Sequence, residues 1–120
     1  MKILNRHDFL KMPEGTFFAK GEKWCIDGFC IKGETYKDRE GTNIDFVYLN
    51  LVQIEFFNSE ELFDRQELML NKGESFGINL SYMRDGMFDD DAIFLVFEKH
   101  DLLIIQHLIT KELEKMLNDN

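Results

Sequence analysis

The chain is poor in the residues that linkers, signal segments and catalytic centres use. Its 120 residues include one proline, three serines, three histidines and two cysteines. So little proline and serine argues against long disordered linkers. No apolar run is long enough to span a bilayer, and the amino terminus lacks the apolar core of a secretion signal. We therefore expect a soluble, cytoplasmic protein that has no contact with membranes.

The sequence also lacks the patterns that identify common enzymes. It has no glycine-rich phosphate loop, and none of its serines stands in a known nucleophile context. His7, His100 and His107 are too scattered to form a catalytic set. The acid spacing of a calcium loop is missing as well. We expect a protein that is not an enzyme and that needs neither a cofactor nor a metal.

What the chain does contain is apolar material and negative charge. Hydrophobic residues make up 44% of it, including twelve phenylalanines, which is enough for a single domain over residues 1–120. Residues 1–43 carry eight basic and seven acidic side chains, a net +1, whereas residues 44–120 carry six and sixteen, a net −10. Such a field repels nucleic acid and favours a basic protein partner or cations, although solubility alone would also explain it.

Capping residues and apolar periodicity predict an α+β fold. The order of elements indicates a mostly antiparallel sheet with a short N-terminal helix, a middle helix and a C-terminal helix packed on it. Self-association through a sheet edge or the apolar start of the last helix stays open. The predicted elements are a helix over Asn5–Lys11, a strand from Phe17, a polar loop over Gly33–Asn43, strand structure over Ile44–Phe57 with a break near Asn50, a helix from Asn58 to Gly73, strands over Ile78–Met83 and Ala92–Glu98, and a helix over Asp101–Leu117.

An Asp-Gly pair between alternating residues predicts a β-hairpin in residues 23–32. With Asp27–Gly28 as the turn, Trp24 lies on the buried side and Cys25 faces Cys30 on the other. The two thiols could be free, joined in a disulfide or bound to a metal. Free thiols fit a reducing compartment best.

The segment Arg84–Asp91 is the best candidate site in the sequence. It carries four carboxylates within seven residues, at Asp85, Asp89, Asp90 and Asp91. These charges repel one another unless water, a cation or a basic partner screens them. The segment is therefore either a solvated connector, a binding surface for a basic protein or, least in keeping with its spacing, a metal loop. We assign the four aspartates as candidate partner-binding residues.

An alternative site lies in the less acidic third of the chain. Tyr36 stands beside Lys37 and Arg39 in the charged stretch after the predicted hairpin. An aromatic ring with two cations could hold an anionic or nucleotide-like small molecule. The second hypothesis is therefore a protein that binds or sequesters such a ligand.

Three stretches carry a resemblance to known sequences: Asp8–Thr16, Cys30–Glu34 and Arg84–Asp91. Through them the chain resembles small acidic proteins of bacteriophages and Gram-positive bacteria that have no assigned activity. The resemblance implies a phage or mobile-element context, in which small acidic proteins often inhibit or sequester host factors. The resemblance transfers no functional residue. The −10 segment, the acidic turn and the lack of catalytic motifs lead to our first hypothesis, a non-enzymatic binding protein that acts through an acidic surface, as an inhibitor or counter-defence factor in that context.

Overall fold

A computed structural model describes residues 1–119 of the chain. Within that range the short helix, the middle helix and the C-terminal helix all form where capping and periodicity predict them. The elements in chain order are β1 (Lys2–Asn5), α1 (Arg6–Phe9), β2 (Phe17–Glu22), β3 (Cys25–Lys37), β4 (Asn43–Asn50), α2 (Ser59–Lys72), β5 (Met83–Arg84), β6 (Ile93–Val96) and α3 (Lys99–Asn118).

The strands form one six-stranded sheet in the order β1-β6-β2-β3-β4-β5, and every neighbouring pair is antiparallel. The α+β class and the mostly antiparallel sheet are therefore confirmed. The last strand, β6, inserts between β1 and β2 and so pairs with the first strand at one edge of the sheet. Consequently β5 and β6, although consecutive, lie four strand positions apart.

One face of the sheet carries the hydrophobic core, and we call it the core face. Phe18, Phe46 and Phe94 point from three different strands towards the ring of Phe9 in α1. The ring of Phe9 stacks on Phe94 at 4.0 Å and meets Phe18 at 4.7 Å and Phe46 at 5.2 Å between centroids. Aromatic contacts of this geometry stabilise beyond the area they bury. Because Phe9 lies at the centre of the core, the four-residue helix α1 holds the core rings together.

The two longer helices do not pack on the sheet as the sequence predicts. No residue of α2 is buried, and the only buried residue of α3 is Asp101 near its start. The radius of gyration is 16.9 Å, whereas a compact chain of this length has about 13–14 Å. The expectation that α2 and α3 cover the sheet is therefore wrong. Over residues 1–119, neither helix is long and apolar enough to cross a membrane.

Helix α2 sits on an arm that continues the β4–β5 ribbon beyond the sheet. We define the arm as residues 51–82. Its two chain segments stay paired through a bridge between Ile54 and Ile78 and a hydrogen bond from the Asn79 amide to the Gln53 carbonyl. The predicted strand over Ile44–Phe57 therefore ends at Asn50, where the break was expected, and its second part forms only this ribbon.

The β2–β3 hairpin differs from the one that the Asp-Gly pair predicts. Glu22 pairs with Cys25, so the turn is Lys23–Trp24. Asp27–Gly28 lies inside β3, where the register shifts and Gly28 adopts a φ of +96°. Because the turn comes earlier, β3 pairs with the whole of β2 and buries Phe18 and Cys30 on the core face. The stability gained from this burial outweighs the preference of Asp-Gly for a turn.

Three further expectations fail with that register. Cys25 is exposed and Cys30 is buried, so the two residues do not face each other, although both thiols are free as the sequence favoured. Trp24 is 92% exposed instead of buried. The predicted polar loop over Gly33–Asn43 shrinks to residues 38–42, because β3 runs on to Lys37. All three follow from a strand that is longer, and begins earlier, than turn signals indicate.

Replacing Trp24 by glycine should stabilise the protein. Trp24 has a φ of +73° while its side chain contributes almost no burial. The left-handed conformation costs a non-glycine residue about 1 kcal/mol, and Trp24→Gly removes that cost. Urea denaturation should show a gain of about this size. Trp24→Ala removes the ring but keeps the Cβ, so it should stay within about 0.5 kcal/mol of the native chain; equal losses in both variants would contradict the account.

Candidate functional site: an acidic cleft on the core face

The acidic segment Arg84–Asp91 crosses the core face from the β5 edge to β6. The Asp85 amide donates to the Phe46 carbonyl at 2.9 Å, and Ala92 enters the hydrophobic core with 1% of its surface exposed. The segment is therefore the connector between the last two strands that the sequence predicts. These strands are not neighbours, so the connector has to span the sheet instead of closing a hairpin.

A network of buried charges holds the start of this segment. The Asp85 carboxylate, 3% exposed, accepts from Lys20 Nζ at 2.6 Å and from Arg6 Nη1 at 3.3 Å. Asp45 has no exposed surface and accepts from Arg84 Nε at 2.5 Å, with Arg6 Nη2 at 3.7 Å. Arg6 thus stands between the two carboxylates, and the network joins α1, β2, β4 and the acidic segment.

Charge pairing decides the protonation of Asp45. Burial by itself raises the pKa of this carboxyl, but the hydrogen bond from Arg84 and the amides of Phe46 and Gly86 act in the opposite direction. The pKa of Asp45 is therefore lowered from its ordinary value of 3.8. At neutral pH the carboxylate is ionised and fully partnered, which is the condition under which a buried charge is tolerated.

The structure separates the four candidate aspartates into two groups. Asp85 is committed to Arg6 and Lys20, so it anchors the segment and is not available to an outside partner. Asp89 is half-buried, while Asp90 and Asp91 are exposed. The Asp89 side chain accepts from the Asp91 amide at 2.9 Å, which fixes the local turn. Three carboxylates therefore remain on the outer part of the segment.

A cleft of about 480 Å³ opens between the acidic segment and the β2–β3 hairpin. Its floor is apolar and comes from the half-buried ring of Tyr48, behind which lie the fully buried core rings of Phe18 and Phe46. Its charged lining is unbalanced, because the only lysine is Lys20, whose ammonium is already paired with Asp85. The carboxylates that line the cleft are Glu22, Asp27, Asp85 and Asp89. The cleft therefore combines an apolar floor with a negative rim.

The donor groups of the cleft do not suit a metal ion. Among the described residues, 1–119, no three histidine, cysteine or acidic side chains converge closely enough to hold one. Cys30 lines the cleft, but burial raises the pKa of its thiol to about 11. The thiol is therefore protonated at neutral pH and is a poor nucleophile or ligand.

A second buried cation lies outside the cleft. Lys32 is 1% exposed, and its Nζ donates to the Thr35 hydroxyl and to the Gly33 carbonyl. Burial lowers its pKa. The Thr35 hydroxyl in turn donates to the Leu10 carbonyl at 3.1 Å, so these contacts fasten the end of α1 to β3.

The residues of the alternative site lie elsewhere and do not share a pocket with the cleft. Tyr36 is in β3 rather than in a loop, and the guanidinium of Arg84 lies over its ring at 5.0 Å. Lys37 ends the strand and pairs in register with Asn43, while Arg39 is exposed in the following turn. The face of the Tyr36 ring is thus already occupied by a cation of the protein itself.

Sequence reasoning missed Arg6, Lys20 and Asp45 as parts of the site. Asp45 carries a detectable signal, since it is the one acid in the β-branched and aromatic residues 44–54. A charge in such a run has to find a partner. Nothing in the local sequence of Arg6 or Lys20 indicates the pairing, because their partner Asp85 lies 79 and 65 residues away.

Comparison of the chain with family models, with curated proteins and with solved structures found no significant match.

Replacing Asp85 by asparagine should destabilise the fold, whereas the same change at Asp90 should not. Asp85→Asn leaves Arg6 buried without one of its carboxylates. Breaking a buried pair costs about 3–5 kcal/mol, and we expect roughly 2–3 kcal/mol here because Lys20 can turn to water. Asp90→Asn, at an exposed site on the same segment, should change stability by less than about 0.5 kcal/mol. Chemical denaturation compares the two, and equal effects would contradict the buried network.

Stability should fall in acid partly through Asp45. Its folded pKa lies below its ordinary 3.8, so the unfolded chain binds a proton more readily. The stability that Asp45 contributes is fully present above the unfolded pKa and is lost as the pH falls through the folded pKa. Asp45→Asn should therefore be less stable at pH 7 and show a shallower loss between about pH 5 and pH 2. If the free energy of unfolding fell with pH equally steeply in Asp45→Asn and in the native chain, this prediction would be contradicted.

Proposed function

We propose that this protein is a non-enzymatic binding protein whose acidic cleft receives a basic segment of a protein partner. The observation that carries the proposal is that one cleft combines the half-buried ring of Tyr48 with an excess of carboxylates. Lysine and arginine side chains match such a site, because their charge pairs with carboxylates and their stems or guanidinium planes lie on aromatic rings.

The outer part of the acidic segment supports the same partner. Asp89 lines the cleft, and Asp90 and Asp91 follow it on the exposed surface. Ionised groups at the rim of an interface mainly raise the rate of association with an oppositely charged partner. The −10 charge of residues 44–120 acts in the same direction over a longer range.

Exposed apolar side chains beside the cleft provide contact area as well as charge. Met87 also lines the cleft, and Met87 and Phe88 are both more than half exposed. Phe88 holds a φ of +50°, a conformation that costs a bulky residue energy. Methionine and aromatic residues are enriched where proteins bind one another. The segment thus offers both anchors and charges to a partner.

The resemblance to small acidic phage proteins supports a narrower form of this proposal. In that form the protein is an inhibitor or counter-defence factor of a phage or mobile element, and the basic partner is a host factor. A small acidic protein that occupies a basic surface blocks whatever that surface would otherwise bind. The cytoplasm, where such host factors act, is the proposed location.

The alternative is a protein that binds an anionic small molecule near Tyr36, Lys37 and Arg39. Two exposed cations near the end of β3 favour it. The stacking of Arg84 on the Tyr36 ring speaks against it, because a ligand would have to displace that contact. A thermal-shift screen with nucleoside phosphates separates the two hypotheses, since only the alternative predicts stabilisation.

A labelled nona-arginine peptide is a direct probe of the acidic cleft. Replacing Asp89, Asp90 and Asp91 together by asparagine should weaken binding about 10- to 100-fold at moderate salt, because three charge-assisted contacts are lost. Fluorescence anisotropy measures the change. Stability should be unaffected, since Asp85 and its partners remain in place.

A matched variant removes three exposed charges from the arm instead. Asp64→Asn, Glu67→Gln and Glu74→Gln change the net charge by the same amount, far from the cleft. If binding depends on the cleft, this variant should bind the peptide within about twofold of the native chain. Equal weakening by both triple variants would show that only overall charge attracts the peptide and would overturn the proposal.

A further inference from the structure

Helix α3 exposes an apolar surface that the described chain leaves uncovered. Leu113 is 50% exposed, and the other large apolar residues on its carboxy-terminal half are exposed at least as much. Helix α3 has 20 residues, and most helical stability in proteins comes from packing an apolar face. We therefore expect another apolar surface to pack on the exposed face of α3.

A groove runs between the first turns of α3 and the face of the sheet opposite the core face. Phe17 and Phe29 form one wall, with ring centroids 5.3 Å apart. Leu102, Ile105 and Ile109 form the other. The groove has a volume of about 630 Å³ and is predominantly apolar. It lies on the other side of the sheet from the acidic cleft, so an occupant of the groove leaves the cleft open.

The apolar stripe of α3 is symmetric about Ile109. Its members are Leu102, Ile105, Ile109, Leu113 and Met116, so apolar residues recur at four and seven positions on either side of the centre. When two identical helices pair antiparallel about a two-fold axis through Ile109, Leu102 faces Met116 and Ile105 faces Leu113. A palindromic stripe is what a two-fold antiparallel contact requires, because the same surface meets itself.

We infer that α3 pairs antiparallel with α3 of a second copy of this chain and so forms a two-fold dimer. In this arrangement the carboxy-terminal half of each helix, with Leu113 and Met116, covers the groove of the other copy. Each copy thus supplies one groove and one helix half that fills it. The inference goes beyond the proposed function, since it concerns the opposite face of the sheet and gives an assembly with two outward acidic clefts.

Charge at the helix ends agrees with the antiparallel register. The two-fold axis through Ile109 also places Lys99 of one copy opposite Asp119 of the other copy. This contact occurs once at each end of the helix pair. Both residues are exposed, and Lys99 lines the groove. Opposite charges at these positions favour the antiparallel register over a parallel one, in which Lys99 would meet Lys99.

The available area is sufficient for a stable dimer. The exposed parts of the stripe, its flanking residues Leu103 and Leu117, and the two groove phenylalanines amount to roughly 700 Å² per copy, close to the ~800 Å² of a standard interface. The surface is predominantly apolar, as in dimers that persist in solution.

The first test replaces the residue on the proposed axis. Ile109→Glu places two carboxylates against each other and should raise the dimer dissociation constant at least about 100-fold, as loss of a central contact does. Ile104→Glu is the matched control, because Ile104 is equally exposed but lies about 140° around the helix. Sedimentation equilibrium should show a dimer for the native chain and the control, and a monomer for Ile109→Glu.

The second test measures the register. In a Cys25→Ser background, Ile109→Cys should give a disulfide-linked dimer on mild oxidation, whereas Ile104→Cys should not. Lys99→Glu and Asp119→Lys should each weaken the dimer, and the two together in one chain should restore it. A monomeric native chain at 100 μM (on the scale of weak interfaces), a dimer insensitive to Ile109→Glu, or equal crosslinking at both positions would each overturn the inference.

Discussion

The pairing of Asp45 and Asp85 with Arg6 is the interaction on which the rest of this structure depends. Arg6 belongs to the helix that brings Phe9 into the core, Asp45 to a strand near the far edge of the sheet, and Asp85 to the segment that crosses between them. Each of these side chains is almost fully buried, so each charge requires the others. The network therefore couples the position of the acidic segment to the formation of the core.

That coupling gives the acidic segment two different parts. Its first aspartate, Asp85, is paired within the fold. Asp89 lines the cleft, and Asp90 and Asp91 follow it on the exposed surface. The anchor of the segment lies within the fold, so under the proposed function the segment is organised before a partner binds. Pre-organisation lowers the entropic cost of binding. The apolar groove lies on the opposite face of the sheet.

Local signals in the sequence predict the local structure well. Asn5 and Asn58 cap their helices as expected, and Gly73 ends α2 in the left-handed conformation. The predictions that fail concern contacts between residues that are far apart in the sequence. The turn predicted at Asp27–Gly28 does not form, because a different strand register buries Phe18. The apolar stripe of α3, predicted to face the core, has no sheet beneath most of its length.

The candidate site shows the same division between local and distant information. Four clustered carboxylates single out the acidic segment from sequence alone. That Asp85 is buried while Asp90 is exposed depends on partners 79 and 65 residues away in sequence, Arg6 and Lys20. Periodicity and turn preference carry no information about such contacts, so the split between anchor and binding surface emerges only in the folded chain.

Native-state amide hydrogen exchange tests the central claim most directly. The Gly86 amide donates to the buried Asp45 carboxylate and the Asp85 amide donates to the Phe46 carbonyl. If the ion network anchors the acidic segment, these two amides should be protected nearly as strongly as those of the central strands, although they lie in a connector. Exchange of both amides near the rate of an unstructured chain would contradict the account.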